Sequence, residues 1–139
     1  MKEMISTVCD MLKALPEFST VAVFDENLGD VSAQIHNAIA KSQALALMVR
    51  WDGLTPKAQS EGSITGDTVL VVRVFEHPAK NRRVPGFLTA LEAARTAALS
   101  LVGKPLDASR LFFVRITPLV ELEGGVISCD VEFRVTVTL

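Results

Sequence analysis

Two histidines, His36 and His77, are the imidazoles of this 139-residue chain, and neither has a partner at ligand or triad spacing. A zinc site needs ligands that converge, and a general base needs a nucleophile and an orienting group in reach. His36 stands beside Asn37 inside an expected helix, and His77 follows Glu76 at a strand end, where it reads as a solvated loop residue. Asp25, Glu26 and Asp30 flank an expected helix start, where carboxylates cap the helix and favour its dipole; a magnesium site is the competing reading. Neither a P-loop nor a G-x-G-x-x-G occurs. Cys9 and Cys129 have the look of two reduced thiols serving as small core residues. No catalytic residue, metal ligand or cofactor is therefore expected.

The remaining candidate is the basic run Lys80, Asn81, Arg82 and Arg83. One reading is an anion cradle in a small phosphate-binding or hydrolytic domain, with Arg82 and Asn81 holding the phosphate. Another is a partner-binding loop, because Arg is favoured at interface hot spots. A plainly solvated basic loop is the third.

Elements must position whatever these residues do. A chain with 49% hydrophobic and 22% charged residues folds as an ordinary globular domain, expected here as one unit over residues 1–139. A net charge of −2 argues against strong nucleic-acid binding, which needs clustered Lys and Arg. No apolar run approaches the ~20 residues of a membrane span, so a soluble protein is expected.

Met4, Ile5, Val8, Met11, Leu12 and Leu15 recur at helical spacing, and Pro16 stops that helix. A strand is expected over Ser19–Phe24, a helix from Asp30 with Val31, Ile35, Ala38 and Ile39 buried, and a strand over Ala44–Trp51. Gly, Ser, Thr and Pro make Asp52–Gly66 the longest expected loop. The run "DTVLVVRVFE" is apolar on both sides, the mark of a central strand covered on both faces. After a loop over His77–Gly86 comes a helix over Phe87–Val102, with Leu88, Leu91, Ala94, Ala98, Leu101 and Val102 near one stripe, closed by Gly103 and Pro105.

The chain ends in a long hairpin. Setting Gly124-Gly125 as a two-residue turn pairs Leu122 with Ile127, Val120 with Cys129, Pro118 with Val131, Ile116 with Phe133, Val114 with Val135 and Phe112 with Val137, apolar against apolar. Pro118 cannot donate to a ladder, so its strand is an edge or is broken there. Leu111, Phe113 and Leu119 then fall on the outward face, as candidates for subunit contact. The expected fold class is α+β, a mixed or antiparallel sheet packed with about three helices and closed by a long C-terminal hairpin.

This order of elements, with "VRVFEHPAKNRR" and "CDVEFRVTVTL", resembles the tail-terminator (tail-completion) proteins of long-tailed phages and prophages. The resemblance spans nearly the whole chain and rests on layout. It implies a structural, non-enzymatic protein of the virion tail, made in the bacterial cytoplasm. Such proteins form a homo-oligomeric ring, commonly a hexamer, that ends tail-tube polymerisation. The implied partners are other copies of the chain, met through the central strand and the outward apolar residues of the hairpin, and the tail-tube protein and head connector, met through the loops 52–66 and 77–86.

Overall fold

A computed structural model of the chain describes residues 2–25, 44–81, 88–106 and 109–139. Helix α1 (Lys2–Lys13) buries Met4, Ile5, Val8, Cys9 and Leu12, the expected stripe. A 3-10 turn at Pro16–Phe18 leads to strand β1 (Ala22–Asp25). Two long strands follow, β2 (Leu45–Ser60) and β3 (Ser63–Glu76). A one-turn helix α2 (Pro78–Asn81) precedes helix α3 (Ala90–Leu101). Short strands β4 (Pro105–Leu106) and β5 (Ser109–Arg110) pair with each other. Strands β6 (Phe112–Ile116), β7 (Val120–Glu121) and β8 (Ile127–Thr138) complete the chain. The helix expected from Asp30 lies outside the described residues.

The main sheet runs β1-β2-β3-β8-β6, with β7 also on β8. β1 lies parallel to β2, and every other pairing is antiparallel, so the α+β class with a mixed sheet holds. β3 is central, as its doubly apolar pattern required. One face carries Leu70, Val72 and Val74 into a core shared with α1, α3 and β8. The other buries Phe75 with Phe24, Ala46, Met48 and Val126.

Helix α3 shows why alanine is abundant there. Its buried side is Ala90, Ala93, Ala94, Ala97, Ala98 and Leu101, small residues that let the helix lie close on the sheet. The stripe expected from Leu91 and Val102 is corrected: both point outward, 51% and 48% exposed, with Leu99 at 66%. Thr89 caps the helix in a reciprocal capping box with Glu92, and Gly103 ends it at φ 75°.

The expected loop at Asp52–Gly66 is instead strand. β2 continues to Ser60, turns at Glu61-Gly62, and returns as β3 from Ser63, forming a β-ribbon. The residues that looked like loop signals sit at irregularities: the register shifts between Trp51 and Leu54 and between Pro56 and Ala58. Thr68, fully buried, fastens the first shift, donating its hydroxyl to Gly53 O at 2.7 Å and accepting from Trp51 Nε1. Asp67 fastens the second side. It accepts from Lys57 Nζ and Thr136 Oγ1, each at 2.9 Å, with Arg134 at 3.7 Å.

The Lys57 hydrogen bond, then that from Thr136, hold the Asp67 carboxyl below its ordinary 3.8. A depressed acid stabilises fully above its ordinary pKa and loses that contribution as pH falls through its folded value. Amide protection factors in the ribbon, measured by NMR relative to intrinsic exchange at each pH, are therefore expected to fall as pH drops below about 4. Asp67→Asn should flatten that dependence.

The terminal hairpin forms, but out of the expected step. Its turn is a three-residue loop, Glu123–Gly125, closed by Leu122 N–H to Val126 O at 2.7 Å, with Gly124 and Gly125 at φ 74° and 76°. Observed partners are Glu121 with Ile127, Ile116 with Val131, Phe113 with Phe133 and Phe112 with Arg134. Pro118 interrupts the strand between β6 and β7, as its missing N–H demands, and a second shift falls between Phe113 and Arg115. Each one-residue slip turns side chains to the opposite face. The slip preserves Ile116 facing the core but reverses Phe112 and Phe113.

Candidate assembly surfaces

Asn81 ends the one-turn helix α2 and points inward. Its Nδ2 donates to a Glu76 carboxyl oxygen and to Leu88 O, the latter at 2.9 Å. The other Glu76 oxygen accepts the Ala90 N–H at 3.0 Å, so the end of β3 is clamped to the first turn of α3. Glu76 and Asn81 are 5% and 9% exposed, which commits this amide to the interior. The expectation that Asn81 lies in an accessible basic loop is thereby corrected. Lys80 is half-buried, and its N–H bonds to His77 O at 3.0 Å; Arg82 and Arg83 lie outside the described residues. His77, expected in solvent, is half-buried, with Nδ1 3.3 Å from the Lys80 nitrogen.

Glu76→Ala would strand the Ala90 N–H and the Asn81 amide in a dry site. We expect a loss of about 2 kcal/mol by urea denaturation, because hydrogen bonds to buried partners of this kind are costly to leave unmade, and only partial recovery in Glu76→Gln, whose amide keeps one acceptor oxygen and turns an NH2 toward the other donor.

The three hairpin candidates separate. Leu111 is 2% exposed and part of the core; its N–H donates to Lys104 O at 2.9 Å. Phe113 is half-buried, its ring edge-on to Phe133 with centroids 6.1 Å apart. Leu119 is exposed, as expected. For Leu111 and Phe113 the outward placement is corrected, and the register slip is the reason. Their neighbours take the surface instead: Phe112 at 59%, Val114, Val120 and Leu122. Arg134 stacks over Phe112, 4.8 Å from the ring centroid.

Between α3 and β6 runs an apolar groove of about 330 Å³, lined by Arg95, Ala98, Leu99, Val102, Phe113 and Ile116. Sequence reading missed it. The available signal was the alanine stripe, since a helix whose small residues face a sheet must turn its leucines elsewhere.

The sheet face away from the helices is ionic in its middle. Arg73 grips Asp130 with two hydrogen bonds, at 2.7 and 2.9 Å, and Arg50 approaches the same carboxyl at 3.7 Å. The Asp130 hydrogen bond raises the Arg73 pKa above its ordinary value. Arg115 bonds Glu132 at 2.9 Å. Three guanidinium groups thus share two carboxylates, and both carboxylates are taken up in ion pairs. Among the described residues no three His, Cys, Asp or Glu side chains converge as metal ligands. Both cysteines are buried free thiols, as expected, and burial pushes each up to about 11. No described helix is long and apolar enough to cross a membrane.

No protein-family model and no characterised sequence matches the chain. Among solved structures it is similar to a chain in the virion of a native gene transfer agent particle, with a TM-score of 0.56 and 21% identity over 95% of this chain and 92% of that one. Both chains therefore share one fold from end to end, and it is the α+β fold expected from the pattern of elements.

Proposed function

We propose that the chain is a structural component of a phage-like virion, with no catalytic role. The observation that carries this is the end-to-end likeness to a chain of a gene transfer agent particle. In the finer reading it is a tail terminator. Copies form a ring, six-fold as is common among such proteins, on the tail tube, stop its growth and give the head connector its seat. Support for self-assembly comes from a sheet whose two ends differ, as a ring contact requires two unlike patches on each subunit. The phosphate-binding alternative loses its best amide, because Asn81 is committed to Glu76 and Leu88.

The test is removal of the chain from cells that produce the particle, with the particles viewed by negative-stain electron microscopy. Overlong tubes and heads without tails are the expected result, reversed by supplying the chain in trans. Tails of normal length, joined to heads, would sink the terminator reading.

A further inference from the structure

The two ends of the sheet are complementary. At one end β1 covers β2 only as far as Val49, and beyond it, among the described residues, β2 has no strand on that side. The ribbon there presents Trp51 and Ile64, each 38% exposed. Trp51 opposes Leu70, and Ile64 follows the alternation of Gly66, Thr68 and Leu70, so both lie on the helix-bearing face. At the other end, on that same face, lies the groove between α3 and β6, with Leu99 and Val102 exposed along its rim.

Charge follows the same division. From Asp52 to Asp67 the chain carries Asp52, Glu61 and Asp67 against Lys57, a balance of −2. From Ala90 to Arg110 it carries Arg95, Lys104 and Arg110 against Glu92 and Asp107, a balance of +1, Arg115 being already paired with Glu132.

Strand direction permits the contact. β2, β3, β8 and β6 alternate in direction, so β6 runs antiparallel to β2. A second copy brought alongside with its sheet in the same orientation sets its β2 edge antiparallel to β6.

We infer that copies of this chain associate head to tail, with the 52–67 ribbon of one copy seated in the α3–β6 groove of the next, Ile64 against Leu99 and Val102, and Glu61 beside Arg95. The inference rests on the ring reading above and names its interface. Side chains carry the contact. The register shifts and Pro56 deny the ribbon's edge a continuous ladder. Two unlike patches repeat around a closed ring when the rotation between copies divides a full turn.

The test introduces Ile64→Cys and Leu99→Cys into the full chain and oxidises it, both purified and in particle-producing cells. The expected result is a ladder of covalent multimers on a denaturing gel, abolished when either position is reverted. In parallel, Arg95→Glu and Glu61→Arg should each weaken self-association about tenfold, and the double variant should regain most of it, as opposed charges at a contact predict. If mass measurement shows multimers while no ladder forms and the charge variants assemble normally, the interface is wrong and the ring stands. If copies neither multimerise in solution nor cross-link in particles, the ring reading and the interface fall together.

Discussion

Val131→Asp is expected to unfold the protein or to lower its stability by about 4 kcal/mol or more. Val131 is 0% exposed and lies in the middle of β8, opposite Val72 of β3 on one side and Ile116 of β6 on the other. The surrounding core is aliphatic and aromatic, with no cation among its members to receive a carboxylate. An ionised group there keeps no water and gains no partner. Val131→Ala, which removes only methyl groups, should cost about 2 kcal/mol and serves as the control. Urea denaturation of both variants checks the prediction. Acidification offers a second check, since burial raises the pKa of the new carboxyl. The deficit of Val131→Asp relative to wild type at the same pH should then shrink as pH falls. An equal deficit in the two variants would mean that water reaches the site.

Gly66→Val should cost about 3 kcal/mol, through close approach of backbone rather than loss of a contact. Gly66 is buried opposite Pro56, at the second register shift of β2. A side chain there would run into the Thr55 carbonyl oxygen and come within 2.9 Å of Pro56 Cα. Both are main-chain atoms held by the ladder, so they cannot step aside as the end of a long side chain could. Relief requires β2 to leave β3 beyond Leu54. Hydrogen exchange should therefore rise across residues 54–66 and stay unchanged in α1. If the ribbon seats a neighbouring copy, Gly66→Val should also abolish self-association at concentrations where wild type multimerises. A ribbon that keeps its protection in the variant would contradict the clash.

Different parts of the molecule were legible to different degrees. Helix α1 was readable because its stripe is made of large apolar residues against polar ones, leaving one face to bury. The central position of β3 was readable because a strand apolar on both sides has few other homes. The hairpin was found, yet its register was not. Leu111-Phe112-Phe113-Val114 is apolar at every position, so alternation in that strand cannot choose which residues turn inward. The choice falls to the three-residue turn and the break at Pro118, and these act over the whole hairpin. The ribbon was hidden for a related reason. Its Gly53 and Pro56 signal a loop on composition, but in a strand with no neighbour on that side among the described residues they mark bulges and a missing donor. A two-residue turn at Glu61-Gly62 was the clue that composition obscured. Of the hairpin candidates, Leu119 does lie at the surface, whereas the groove depended on how α3 rotates on the sheet, which follows from alanine packing rather than from hydrophobicity.

One consequence follows for how the protein is made. β8 is synthesised after the other described elements, yet it lies inside the sheet, with β3 on one side and β6 and β7 on the other. Until it emerges from the ribosome, β3 has an open side and β6 has nothing to pair with. Folding of this sheet is thus gated by synthesis of β8, and a chain stopped before that strand cannot complete the subunit. Chains stalled before Ile127 should be digested by protease throughout β3 and α3, whereas chains extended past Leu139 by a tethering linker should resist.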